Sequence, residues 1–210
     1  MAYDLEEQEQ LAQLKAWWND HGAKVLLVVI AIALAAVAWR GWDWYQRSRV
    51  AQAGALYEQL AKGMAANDAK AVRDAAGSLL EGYPASMYAS MGALAAAKFN
   101  FDRGDLKAAK LQLQWATDKG RTDEIRDLAR LRLAGLLMDE KAYDEALKLL
   151  EAKHADAFAA QYALLKGDLL VAKDKTDEAK AAYKVALEKA DKKANAFRDG
   201  VKMRLDALGG

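Results

Sequence analysis

The sequence predicts an all-α protein in two parts: a single transmembrane helix near the N-terminus, then an array of paired amphipathic helices. Three observations predict it. Apolar residues concentrate in one uncharged run, Val25 to Trp39 (VLLVVIAIALAAVAW). After Arg49 they recur at helical spacing between short Gly/Asp/Asn/Lys turns. A single proline, Pro84, interrupts 210 residues rich in Ala, Leu and Lys, all good helix formers.

The chain opens on an acidic segment, residues 1–21, in which Asp4, Glu6, Glu7, Glu9 and Asp20 outweigh Lys15. The apolar run of 15 residues that follows covers roughly 22 Å as a helix, short of the ~30 Å hydrocarbon core. Flanking residues supply the rest. Lys24 and Arg40 can carry their charges out to water, and Trp17, Trp18, Trp39 and Trp42 suit the two interfacial belts. Five of the six tryptophans bracket this segment, so the membrane helix is placed at residues 22–42. A cleaved signal peptide would have a core of similar length, with Ala36-Val37-Ala38 imitating a cleavage site. The preceding 24 residues carry a net −3, however, the wrong sign for such a start. A buried core helix or an interfacial helix would need an amphipathic face, and Val25–Ile30 has none. Charge counting sets Lys15 and Lys24 against Arg40, Arg47 and Arg49, which leans by one charge towards a cytoplasmic C-terminal domain and leaves the topology open.

Residues 43–52 read as a juxtamembrane connector and residues 53–210 as the repeat domain. Three turns there resemble one another: Gly104-Asp105-Leu106-Lys107-Ala108-Ala109, Lys141 to Ala146, and Lys175 to Ala179. Their alanines, Ala109, Ala146 and Ala179, are spaced by 37 and 33 residues. Twelve residues earlier stand Ala97, Ala134 and Gly167, and four residues later Leu113, Leu150 and Tyr183. Small residues where two helices cross, in units of about 34 residues, are the signature of a tetratricopeptide-like array. Counting back 37 from Ala109 reaches Val72, so residues 53–86 form a degenerate first repeat, followed by 90–123, 127–160 and 160–193. Helix 195–208 then caps the last repeat.

Nothing in the composition asks for catalysis. There is no cysteine, and the two histidines, His21 and His154, are far apart. His154 reads as a solvated loop residue and His21 as an interfacial one. Carboxylates sit among lysines at helical spacing, as in Glu145 with Lys148 and Asp177 with Lys180. A net charge of +1 argues against a nucleic-acid partner, and no phosphate-cradling glycine motif occurs. No catalytic residue, metal or cofactor is therefore expected. The informative positions lie on the concave side of the array: Leu94, Leu131 and Leu164, then Phe101, Met138 and Val171, with Met91 and Leu128 nearby. All are apolar, which disfavours a clamp for a C-terminal carboxylate and suits an amphipathic or incompletely folded partner segment. The same residues would equally suit burial under helix 195–208 or under residues 50–63.

Further motifs point to one family. Glu6-Glu7-Gln8-Glu9-Gln10, Leu14-Lys15-Ala16-Trp17-Trp18, Trp39-Arg40-Gly41-Trp42 with Gln46, Ala55-Leu56-Tyr57 and Ala85-Ser86-Met87-Tyr88-Ala89 together resemble the YfgM family of ancillary Sec translocon subunits. The resemblance covers nearly the whole chain. It implies a single-pass bacterial inner-membrane protein with its N-terminus cytoplasmic and its repeat domain periplasmic, against the lean of the charge count. It also implies association with the Sec translocon and with a PpiD-type periplasmic chaperone, and contact of residues 1–21 with an RcsB-type stress-response regulator. A regulatory tether and a scaffold in cell-envelope assembly are the rival readings.

Overall fold

The computed structural model describes residues 2–209; Met1 and Gly210, the outer ends of the acidic segment and of the repeat domain, lie outside the described residues. Among the described residues the regular structure is helical throughout. The helices are α1 (Ala2–Ala65), α2 (Ala69–Gly82), α3 (Met87–Asp102), α4 (Leu106–Lys119), α5 (Asp123–Asp139), α6 (Tyr143–Leu150), α7 (Ala159–Ala172), α8 (Thr176–Lys189) and α9 (Asn195–Ala207). A short 3-10 turn, Asp156–Phe158, precedes α7. The chain divides into two units between Ala51 and Gln52, within α1.

In the first unit, α1 carries the apolar run with its side chains open on every side; Leu27 is 67% and Val37 71% exposed. That exposure is unlike the packed side chains of a buried core helix. It is the one helix among the described residues long and apolar enough to cross a membrane. An apolar cylinder whose backbone bonds are satisfied internally is what a bilayer interior accepts. Trp17 stacks on His21 at 5.3 Å between ring centroids, and Trp42 lies 6.2 Å from Tyr45. The helix runs without a break through residues 43–52.

The second unit is a row of helical hairpins. Each of the four among the described residues closes through one residue in the left-handed conformation: Asn67, Gly104, Lys141 and Asp174, 37, 37 and 33 residues apart. At each turn the next amide reaches back five residues to close the helix end: Asp68 to Gly63, Asp105 to Asn100, Ala142 to Leu137 and Lys175 to Leu170, at 2.8–2.9 Å. Asp68 and Asp105 then cap the following helix, Asp105 accepting from the Ala108 amide at 3.0 Å.

The small and bulky positions meet where the helices of a hairpin cross. Ala97, Ala109 and Leu113, then Ala134, Ala146 and Leu150, are buried, as are Ala179 and Tyr183 in the last pair. The first hairpin uses a different solution. Leu60 and Val72 are fully buried, and the close approach moves to Gly63, where a Cβ would lie 3.1 Å from the Val72 amide nitrogen. The third hairpin also departs from a uniform period. Its second helix, α6, has eight residues where α4 and α8 have 14, and residues 151–158 follow as a loop. Asp127, only 3% exposed, holds that loop by accepting from the Ala155 amide at 2.8 Å. The core continues from hairpin to hairpin. One cluster joins Leu60, Val72 and Leu79 to Phe99, a central one joins Ala97 and Leu133 to Leu169, and a third seats Val201 of α9 on α7 and α8. Surface bonds between successive turns follow the same order: Arg103 to Asn67, Lys110 to Glu140, and Lys173 to Asp144.

Candidate binding groove

The expected groove residues separate into two groups. The twelfth positions of the first helices, Phe101, Met138 and Val171, line two adjoining clefts. One, of about 430 Å³, opens between α3 and α5 over α4 and is walled by Phe101, Leu113 and Met138. The other, of about 490 Å³, lies among α5, α7 and α9 and is walled by Met138, Val171 and Leu208. Met138 and Asp139 line both, so the two clefts adjoin along the array. Phe101 is 44% and Val171 38% exposed, available to a partner.

The fifth positions behave differently. Leu94 and Leu131 are half-buried against the central core, and Leu164 is half-buried against the cluster that holds α9. Their apolar character thus serves packing between helices. Leu128 is half-buried and Met91 is 42% exposed, and neither lines these two clefts. Arg204 of α9 and Leu208, just beyond its end, line the second cleft and do not reach the first, at Phe101.

Several residues of the groove carry no apolar signal in the sequence. Lys98, Arg132 and Asp139 rim the first cleft, and Gly135 forms part of its floor. Helical spacing is the signal that would find them: Arg132, Gly135 and Asp139 share one face of α5 with Met138 close by. In the second cleft Arg204 donates to Asp168 at 3.0 Å, and the Tyr183 hydroxyl donates to the same carboxylate oxygen at 2.7 Å. Burial first, then this carboxylate, push the Tyr183 phenol far above its ordinary range.

A buried polar cluster stands apart from the groove and orders the loop behind α6. Arg130 donates to Asp127 at 2.7 Å, and the Tyr162 hydroxyl donates to the Asp127 backbone carbonyl at 3.0 Å. Burial pushes the Tyr162 phenol up. It also works against the Arg130 charge, but bonds to Tyr162 and Asp127 prevail and hold that guanidinium above its ordinary range. His154 corrects the sequence reading: it is half-buried, its ring 4.2 Å from that of Tyr162. The cause is the Asp127–Ala155 bond, which draws the loop inward. Lys180, expected beside Asp177, instead donates to the Gly209 carbonyl at 2.9 Å. No group of three or more potential metal ligands occurs among the described residues.

An apolar helix followed by helical hairpins with small residues at their crossings defines an anchored helical-repeat protein. Comparison with known proteins agrees, since a family described as a tetratricopeptide repeat-like domain matches residues 15–210. The chain is 31% identical over 212 residues to the ancillary SecYEG translocon subunit of Neisseria gonorrhoeae, covering 99% of this chain and all of that one. It is 28% identical over 209 residues to the protein of the same name from Haemophilus influenzae, again across 99% and 100%. With the one from Aggregatibacter actinomycetemcomitans it shares 31% over 191 residues, 90% of this chain and 93% of that one. The chain belongs to the ancillary SecYEG translocon subunit family, the YfgM family that its motifs resemble.

Proposed function

We propose that this protein is an inner-membrane subunit that works beside the Sec translocon, with residues 1–21 in the cytoplasm and the repeat domain in the periplasm. The observation that carries the reading is full-length similarity to ancillary SecYEG translocon subunits, anchor included. The anchor raises the effective concentration of the repeat surface at the channel exit, so modest contacts suffice to engage an emerging chain. The adjoining clefts lined by Phe101, Met138 and Val171 supply those contacts, and the protein passes clients to a PpiD-type periplasmic chaperone. The protein acts by binding alone, without a catalytic step or cofactor. Contact with an RcsB-type regulator belongs to the cytoplasmic tail.

The test exploits a chain free of cysteine. Single cysteines at Ala2 and Ala207 are exposed to an impermeant thiol reagent on intact spheroplasts, followed by crosslinking from position 207. Labelling only at 207, with crosslinks to SecYEG or a periplasmic chaperone, is the expected result. Labelling only at position 2 would put the repeats in the cytoplasm and end the channel-exit reading.

A further inference from the structure

The open cleft between α3 and α5 has a feature that packing leaves unexplained. Gly135 sits in the interior of α5, yet a Cβ there would meet no atom within 4 Å, and its φ is not positive. Glycine disfavours a helix interior, and neither crowding nor backbone torsion requires it here. Its effect is to bare the α5 backbone as the cleft floor. Arg132 lies one turn before it and Asp139 one turn after, both lining the same cleft. The other charges lining the two clefts are answered within the protein: Lys98 by Asp102 at 2.6 Å and Arg204 by Asp168 at 3.0 Å. Arg132 and Asp139 form no ion pair among the described residues, and both are exposed.

We infer that this cleft receives one large apolar side chain of an extended partner segment, flanked by an acidic residue that meets Arg132 and a basic residue that meets Asp139. Seven helical residues separate the two charges by about 10.5 Å along the axis. In an extended chain, residues i, i+2 and i+4 share a face and span about 13 Å, a difference that the long Arg and Lys side chains close. A segment of the form Asp-x-Phe-x-Lys therefore matches the cleft, its ring over Gly135 between Phe101 and Met138. The inference rests on the reading of the adjoining clefts as the contact surface and adds which segments they select.

The full chain in phosphatidylcholine nanodiscs is titrated with fluorescein-labelled Gly-Asp-Ala-Phe-Ala-Lys-Gly and followed by anisotropy. Saturable binding is expected, weaker by roughly tenfold for versions with two Asp or two Lys, and declining as salt rises. Gly135→Leu fills the floor with a better helix former and weakens binding at least as much while the circular dichroism stays helical; Gly135→Ala provides a second, smaller plug. In Asp139→Lys the preference moves to the peptide with two Asp. Equal binding of all three peptides, no saturable binding, or binding unchanged in Gly135→Leu would overturn the inference. Co-purification with SecYEG, run on the same preparations, keeps the two ideas apart. A wild-type chain that co-purifies but ignores the peptide sinks only this inference, whereas one that does not co-purify sinks the functional reading.

Discussion

Where the last hairpin carries Tyr183, the two before it carry Leu113 and Leu150, and the residue facing it changes in step from Ala97 and Ala134 to Gly167. A Cβ on Gly167 would overlap the Tyr183 ring. The phenol keeps its hydroxyl on Asp168, so the ring has no free rotation by which to yield. Gly167→Ala should therefore destabilise the protein by about 1–3 kcal/mol, although alanine is the better helix former by about 1 kcal/mol. Adding Tyr183→Leu should return most of that loss, a coupling of about 1–3 kcal/mol in urea unfolding of the four-member cycle. Strict additivity would refute the matched exchange. The sequence pattern shows both positions, one small and one bulky. That they compensate one another is visible only once the ring's path is known.

At the scale of the element, the hairpin turns share one backbone course but not one chemistry. Lys175 has φ −93° and ψ 63°, close to the −80° and 70° of Asp105, yet it offers no side-chain acceptor to the first turn of α8. Lys175→Asn places an oxygen where it can accept from the Glu178 amide and should stabilise the protein by about 0.5–1 kcal/mol, seen as a higher urea midpoint. The exposed Lys175–Glu178 ion pair at 2.8 Å is lost, and a surface pair of this kind contributes little. An unchanged midpoint would mean that the new amide side chain prefers water to the helix end. Three of the turns were legible in the sequence because an alanine follows each at a fixed distance, where the first turn has Val72 instead. The short α6 was not. A uniform period carries the third repeat through to residue 160, whereas the buried Asp127 takes residues 151–158 out of the helix and into a tethered loop. A lone aspartate in an amphipathic stretch gives no sign that it is buried until its partners arrive from a loop 28 residues on. The groove divides in the same way. Its apolar ladder was readable from periodicity, while Arg132 and Asp139 look like ordinary solvated residues until α3 is placed across the cleft whose rim they form.

Across the repeat domain, the clusters of buried residues form a chain of neighbours, and the central one is the joint. It takes side chains from α3 through α7, and Leu147 packs against both this cluster and the one that holds α9. An array of this kind gains stability from each hairpin and from each interface with the next, so damage spreads as far as the interfaces it weakens. Leu133 is 1% exposed at the middle of the joint. Leu133→Ala should cost about 2–5 kcal/mol and speed amide exchange across α3 to α7 together. Val201 is fully buried but touches only the last cluster. Val201→Ala should cost about 2 kcal/mol and loosen α7 to α9, leaving α2 and α3 protected. Exchange measured by mass spectrometry on the full chain in detergent distinguishes the two patterns. If both variants loosened the whole domain equally, the hairpins would form one cooperative block. Exchange confined to α5 in Leu133→Ala would instead mean that the joint transmits nothing. A graded response, strongest at the mutated interface and fading with distance, is the one an array stabilised by nearest-neighbour interfaces should give.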